Sequence, residues 1–378
     1  MRLHPFDPLL AKVMRIRAQS GKRPRPVREF DPAAVRRILV VSSTAIGDTL
    51  FATPAWRALR VRYPHARIVG HIRESVQPLF SDNPHLDAII PYAGGYHRFF
   101  RTVRALRQER FDLALIFHGM GPQAIPMAVL SGAPFVIRIP NTSEYGYLLS
   151  NADNIPENLP LPGEHAIRLR LRIAGLADAA SEDVRLVLPI PPEDRRAAQQ
   201  VLASAGVDSG SPLIGIEPGA AAEFKRWPAE RFVSVGQELL AGRPRWRVVV
   251  LGSAREQRLA ARVAGGIGPA AVSLAGRLDL RTLRGVIASL RLLLTNDTGP
   301  LHMAIALGIP TVSLFGATNS RGTGPLQDME RHVVLQHDLP MWETHNIQRR
   351  DNTPMLRIGV KEVVASGRNL LDRTEGAG

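Results

Sequence analysis

The chain of 378 residues contains no cysteine. Disulfide bonds, thiolate metal sites and cysteine nucleophiles are therefore excluded, and an intracellular protein fits this composition. Long hydrophobic runs are missing as well: none reaches the roughly 18 residues of a membrane-spanning helix, and the N-terminus lacks the apolar segment of a signal peptide. We therefore expect a protein that stays in the cytoplasm.

Acidic residues are scarce relative to basic ones, at 34 against 48, which gives a formal net charge of +14. A surface of this charge attracts anions such as phosphates, nucleic acid or acidic lipid, without distinguishing among them. A generally Ala-, Gly- and Pro-rich composition explains the arginine excess equally well. Hydrophobic residues make up 45% of the chain, which is typical of a folded globular protein.

Strand-like apolar segments alternate with helix-like segments from Arg37 onward. The predicted strands are 37–43, 66–73, 86–92, 111–117 and 135–140 in the first half and 212–217, 247–252, 271–275, 291–296 and 310–315 in the second. Continuous apolar strands with intervening helices, such as 49–62 and 97–109, indicate parallel sheets that are covered on both faces. We predict an α/β fold of two Rossmann-like doubly wound domains that face a central cleft.

The proline-rich stretch 189–192 marks the predicted boundary between the two domains. The predicted segments are an N-terminal extension (1–35), a first domain (36–188), a second domain (189–358), and a C-terminal helix and tail (359–378). The extension contains Phe6, Leu9, Leu10, Val13 and Met14 at helical spacing, together with basic residues. It is either a basic amphipathic helix that binds an anionic membrane surface or a helix that packs on its own domain.

Asp48 follows the first predicted strand, after Gly47, which allows the backbone to turn sharply. Its place at the carboxyl edge of the sheet suits a catalytic group, and a helix N-cap is the simpler alternative. No G-x-G-x-x-G motif follows this strand, so a nicotinamide cofactor is not expected.

Two further groups of residues follow strands of the second half. Lys225 stands shortly before Pro228, which suits the first turn of a helix, so its ammonium group would lie near free N–H groups that bind a diphosphate. Asp297, Thr298, Gly299 and His302 lie where another strand ends and a helix begins, a position that favours an anionic oxygen. The simpler alternatives are a solvated lysine, and Asp297 as a helix cap beside a buried His302.

Taken together, these segments resemble glycosyltransferase family 9, the heptosyltransferases of lipopolysaccharide core assembly. The resemblance is carried by ILVVSSTAIGDTLFATP at Ile38–Pro54, KRWP at Lys225–Pro228, LAGRLDL at Leu274–Leu280 and NDTGPLHMAIALGIPTVSLFGAT at Asn296–Thr318. It implies a GT-B fold and an inverting, metal-independent transfer from a nucleotide sugar, usually ADP-heptose, to a glycan or glycolipid acceptor, without a cofactor.

The resemblance implies that the first domain (36–188) binds the acceptor and that the second domain (189–358) binds the nucleotide sugar. It also implies roles for single residues. Asp48 would be the catalytic base, and Lys225 would contact the diphosphate during catalysis. The donor-binding residues would be Asp297, Thr298, Gly299 and His302, together with Glu256 as a ribose-binding acid. Because the chain has no cysteine, it has no cysteine-ligated iron site like that of some relatives.

Two other functions remain open at this stage. One is transfer from another nucleotide sugar, or to another acceptor, in surface polysaccharide or natural-product glycosylation. The other is non-catalytic binding of nucleotides or nucleic acid by the basic surface, but the sequence contains no nucleic-acid-binding motif, so no nucleic-acid partner is expected.

Overall fold

A computed structural model describes residues 4–119, 123–139, 144–154, 161, 163–337 and 352–375. The chain divides into two compact units, Met1–Val187 (unit 1) and Leu188–Gly378 (unit 2). Each unit has its own parallel sheet and its own hydrophobic core. The predicted α/β fold with two doubly wound sheets is thereby confirmed.

Unit 1 contains five parallel strands in the order β3-β2-β1-β4-β5. The strands are β1 Arg37–Ser42, β2 Arg67–Arg73, β3 Ala88–Tyr92, β4 Leu113–His118 and β5 Phe135–Ile137, and the helices are α1 Asp7–Gln19, α2 Ile46–Leu50, α3 Thr53–Arg62, α4 Phe99–Gln108, α5 Ala124–Leu130 and α6 Ala166–Gly175. The strand order reverses between β1 and β4. In doubly wound sheets this reversal opens a crevice at the carboxyl ends of the strands, where ligands bind.

The predicted helix 49–62 is two helices, α2 and α3. Pro54 is the second residue of α3. Proline has no N–H to donate and its ring clashes with the preceding turn, so a helix begins at proline more readily than it continues through it.

Unit 2 contains six parallel strands in the order β11-β10-β9-β6-β7-β8. The strands are β6 Leu213–Glu217, β7 Arg247–Val250, β8 Ala271–Ser273, β9 Leu292–Asn296, β10 Thr311–Leu314 and β11 His332–Leu335, and the helices are α7 Pro192–Ser204, α8 Ala229–Leu240, α9 Gln257–Ile267, α10 Leu280–Ala288, α11 Gly299–Ala306, α12 Ser320–Thr323, α13 Thr353–Arg357 and α14 Val360–Glu375. The strand order reverses between β6 and β9. Sequence patterns did not predict β11, a short and mostly half-buried edge strand.

The terminal helices pack onto the units to which they belong. In α1, Leu10, Ala11 and Met14 are buried in the core of unit 1. Near the other end of the chain, α14 buries Val363, Leu370 and Leu371 in the core of unit 2. Within the described part of the chain, no helix is long and apolar enough to cross a membrane.

Candidate active-site residues

Asp48 lies in the first turn of α2, at the reversal point of the unit 1 sheet. The N-cap of α2 is Ala45, so Asp48 does not serve as the helix cap of the simpler alternative. Its side chain contacts groups from two other elements, and about 30% of it is exposed. The carboxylate is therefore held by tertiary contacts rather than by its own helix.

Among the residues that the structure describes, three side chains lie around the Asp48 carboxylate. Thr44 donates its hydroxyl to Oδ2 at 3.2 Å, and Arg170 on α6 donates Nη2 to Oδ1 at 3.4 Å. His118 at the end of β4 places Nε2 at 3.6 Å from Oδ1 and Nδ1 at 2.7 Å from the hydroxyl of Thr44. We call Asp48, Thr44, His118 and Arg170 the Asp48 cluster.

Burial sets the charge states in this cluster. Burial, together with the charges of Arg170 and Arg138, lowers the pKa of His118 to about 4, against the opposing effect of Asp48. Burial also lowers the pKa of Arg170 to about 10, against the opposing effect of Asp48. At neutral pH, Arg170 is therefore a cation and His118 a neutral imidazole.

Sequence analysis did not identify Thr44, His118 or Arg170 as site residues. His118 is brought to Asp48 because β1 and β4 are neighbours and Ser42 pairs with His118 in the sheet. Arg170 occupies a position on the apolar face of α6, between Ile167 and Ala174, both buried. An arginine where helical spacing calls for an apolar residue is the sequence signal that could have found it.

In unit 2 the structure brings Lys225 and Asp297 into direct contact, with Nζ 2.9 Å from Oδ2. Lys225 follows β6 and Asp297 follows β9, so both stand at the reversal point of this sheet. His302 on α11 places Nε2 at 3.8 Å from Oδ1 of Asp297. We call these three residues the Lys225 cluster, and in it Lys225 is ion-paired rather than a solvated loop side chain.

Asn296 joins the loops that carry the Lys225 cluster. Its amide nitrogen donates to the carbonyls of Pro218 and Gly219, and its carbonyl oxygen accepts from the N–H of Trp227, so the loop after β6 is tied to the end of β9. Burial would raise the pKa of Asp297, but the charges of Lys225 and His302 outweigh it and hold that pKa below its ordinary value. Asp297 is therefore an anion that pairs with the ammonium group.

Thr298 is the N-cap residue of α11, and Gly299 is the first residue of that helix. Asp297 is thus not the cap that the simpler alternative supposed, although His302 is buried as that alternative expected. The first N–H groups of a helix have no partner within it and carry a partial positive charge. The start of α11 can therefore bind an anionic oxygen beside Lys225.

Glu256 lies in the turn after β7 and accepts hydrogen bonds from the N–H and the hydroxyl of Ser253. It also faces Gly219 in the loop after β6, where a Cβ would collide with the carboxyl groups of Glu256 and Glu217. Glu217 ends β6 and is a buried carboxyl that sequence analysis gave no role. Burial, together with the charge of Glu256, raises its pKa to about 8, against the hydrogen bond from Gly219.

The predicted site residues thus form two groups that belong to different units: Asp48 in unit 1, and Lys225, Asp297, Thr298, Gly299, His302 and Glu256 in unit 2. Among the residues that the structure describes, no set of three or more His, Asp or Glu side chains is arranged to hold a metal ion. In unit 2, Lys225 and the start of α11 are groups that offer positive charge to an anion.

Comparison with known proteins matches residues 99–352 to the family model described as glycosyltransferase family 9 (heptosyltransferase). The lipopolysaccharide heptosyltransferase 2 of Salmonella typhimurium is 27% identical over 318 residues, which cover 79% of this chain and 88% of that protein.

Two solved structures share the fold of the chain. A glycosyltransferase family 9 structure from Veillonella parvula has a TM-score of 0.76 and 24% identity, with 89% of this chain and 97% of that chain covered. The ADP-heptose lipopolysaccharide heptosyltransferase II of Escherichia coli has a TM-score of 0.73 and 22% identity, with coverage of 90% and 99%. These likenesses confirm the predicted GT-B fold.

Proposed function

Because this chain belongs to glycosyltransferase family 9, the heptosyltransferase family, we propose that it transfers a heptose from ADP-heptose to a lipopolysaccharide core or a similar glycan acceptor. Relatives and neighbours with these activities in their names support the choice of sugar and pathway. In this proposal the transfer inverts the anomeric carbon and uses no metal ion.

The observation that supports the proposal most is that the two clusters expose opposite charges: the acidic partner is more exposed in unit 1, and the basic partner is more exposed in unit 2. In unit 1 the side chain of Asp48 is 30% exposed, while that of Arg170 is 3% exposed. In unit 2 the side chain of Lys225 is 25% exposed, while that of Asp297 is 10% exposed. Unit 1 therefore offers a carboxylate to a ligand, and unit 2 offers a cation.

Unit 2 is the donor-binding unit in this proposal. Negative charge builds on the leaving ADP as the bond to the sugar breaks, and Lys225 with the N–H groups of Thr298 and Gly299 stabilises that charge. Asp297 keeps Lys225 in place, because their ion pair is partly buried. Glu256, beside Gly219, is the proposed partner of the ribose hydroxyls.

Unit 1 binds the acceptor and supplies the base. Asp48 takes the proton from the acceptor hydroxyl while that oxygen attacks the anomeric carbon from the face opposite the diphosphate, which inverts the configuration. Arg170 and Thr44 each donate to a different oxygen of Asp48, so they fix the orientation of the carboxylate. They are positioning residues rather than catalytic ones. We further propose that this glycolipid chemistry takes place in the cytoplasm, at the inner face of the membrane.

A panel of nucleotide sugars tests the donor. ADP-heptose, ADP-glucose, UDP-glucose and GDP-mannose are each added to the full chain, and the melting temperature and the release of nucleotide in the presence of a core acceptor are measured. A ligand at about 100 times its Kd stabilises the folded state by roughly 2.7 kcal/mol, which raises Tm by several degrees. We expect this rise with the ADP sugars and turnover with ADP-heptose.

The panel also separates this proposal from its nearest alternative. Stabilisation and turnover with a UDP or GDP sugar, and none with ADP-heptose, would mean that the chain uses another donor in surface polysaccharide or natural-product glycosylation. Free ADP and UDP serve as matched controls, because they differ only in the base.

A further inference from the structure

We propose that the outward side of α1 is a docking surface for an anionic lipid bilayer. The inner side of this helix packs on the core of unit 1, and its outer side is exposed and can bind a partner. The surface consists of an apolar row and a basic groove that follows it in the chain.

The apolar row is formed by Phe6, Leu9, Val13 and Ile16, which are 52%, 54%, 46% and 56% exposed. Their spacings of three, four and three residues place them along one side of the helix. A row of four large apolar side chains on the surface is unusual for a protein without a partner there, because single exposed residues are the normal case.

Specific contacts keep the row turned outward. The hydroxyl of Tyr96 donates to Oδ1 of Asp7 at 2.5 Å, and the ring of Tyr96 contacts that of Phe6 with centroids 5.6 Å apart. At the same time Leu10 and Met14 are buried in the unit 1 core. A helix fixed in this way presents the row without having to rearrange.

The basic groove begins at the end of the same helix. It has a volume of about 250 Å³ and is lined by four basic residues, namely Arg17, Lys22, Arg23 and Arg25, and by apolar residues and Gly132, with no carboxylate among them. Arg17 follows Val13 by four residues and so continues the side of the helix that carries the row. Within the described parts of the chain, these four residues form no ion pair.

The charge of the groove decides among the possible occupants. A second copy of the chain packed on the apolar row would bring two cationic grooves of like charge near each other. An anionic bilayer instead accepts the row into its apolar boundary region, while its headgroup phosphates neutralise the groove. The combination of an exposed apolar row and a basic groove thus favours a bilayer rather than a protein partner.

Vesicle sedimentation of the full chain tests this surface, without donor or acceptor, so a negative result leaves the transfer reaction untouched. We expect the wild type to sediment with mixed phosphatidylcholine–phosphatidylglycerol vesicles far more than with phosphatidylcholine alone. Replacing Leu9, Val13 and Ile16 by Gln should lower the partition coefficient about tenfold or more, because three apolar side chains no longer enter the boundary region. The matched control replaces the exposed Val61, Met329 and Leu356 by Gln and should bind like the wild type.

A second pair of variants tests the groove. Replacing Lys22, Arg23 and Arg25 by Glu should weaken binding by about fivefold or more for each charge, whereas the same change at the exposed Arg195, Arg196 and Arg245 should have a clearly smaller effect. The proposal is overturned if the wild type stays in solution with both vesicle types, or if the apolar-row variant sediments like the wild type. It is also overturned if that variant turns a wild-type dimer into a monomer while neither protein binds vesicles.

Discussion

The Asp48 cluster and the Lys225 cluster are built from the same kinds of residues and present opposite charges. Each stands where the strand order of its sheet reverses, and each has an aspartate between a cation and a histidine: Asp48 with Arg170 and His118, Asp297 with Lys225 and His302. In unit 1 the cation is buried and the carboxylate is open. In unit 2 the lysine is the more exposed partner, with 25% of its side chain exposed against 10% for the aspartate.

The difference shows that position in the fold, rather than residue type, decides what a charged pair offers to a ligand. Arg170 reaches Asp48 from a helix that packs in unit 1. Its guanidinium group therefore contacts groups of the protein rather than a ligand. Lys225 reaches Asp297 from the end of the short 3-10 helix Glu223–Lys225, and a quarter of its side chain stays exposed. An open carboxylate can take a proton and an open ammonium can hold a phosphate.

The largest expected effect is that of Asp48→Asn. Asparagine keeps the shape of the side chain but does not accept a proton at neutral pH, and general-base catalysis contributes about 10²–10⁴-fold. We expect turnover to fall by that factor while calorimetry finds donor affinity near the wild-type value, because the proposed donor-binding residues belong to unit 2. The exposed Asp153→Asn in the same unit is the control and should keep full turnover. Wild-type turnover in the Asp48 variant would mean that Asp48 is not the base, and the proposed contrast between a base in unit 1 and a phosphate-binding cation in unit 2 would be wrong.

Lys225→Ala should have a smaller effect, and on binding as well as on turnover. A charged hydrogen bond to phosphate contributes about 1.5–3 kcal/mol, so the Kd for ADP should rise roughly 10- to 150-fold. The exposed Lys361→Ala is the control, since it removes the same charge from unit 2 at another place. If calorimetry finds equal ADP affinity in both variants, Lys225 does not contact the diphosphate and its role is limited to the ion pair with Asp297.

Glu217→Gln should have the smallest effect, and only on stability. The folded-state pKa of about 8 lies above the ordinary value of 4.5, mainly because of burial. The folded state therefore binds more protons than the unfolded state between these two values, and wild-type stability should fall as pH rises through this range. Glutamine does not titrate, so the variant should gain on the order of 1 to a few kcal/mol relative to the wild type at pH 8 and little near pH 4.5.

Urea unfolding across this pH range measures the effect, with the exposed Glu223→Gln as the control. Parallel stability curves for the Glu217 variant and the wild type would mean that this carboxyl does not titrate as its burial predicts. The result bears on the comparison of the two clusters. With a pKa of about 8, Glu217 at the end of β6 is mostly neutral at pH 7 and adds little negative charge to the unit 2 site.

Much of the fold could be read from the sequence, because buried parallel strands are continuous apolar runs. All ten predicted strands are present within a few residues, and the predicted helix 97–109 is α4. The edge strand β11 and the break before α3 escaped detection for local reasons, namely a short pattern and a proline near the start of a helix. Roles of single residues in the reaction stay predictions until the variants are measured.

The sequence by itself determined which residues follow the central strands. Asp48 comes shortly after one continuous apolar run and Asp297 directly after another, and such runs are typical of buried parallel strands. Only the tertiary structure decided what these residues meet. Arg170 is 122 positions from Asp48, and Lys225 is 72 from Asp297. Such pairs form because strand order and helix packing bring distant segments together, and the burial of one partner then determines which charge is left exposed.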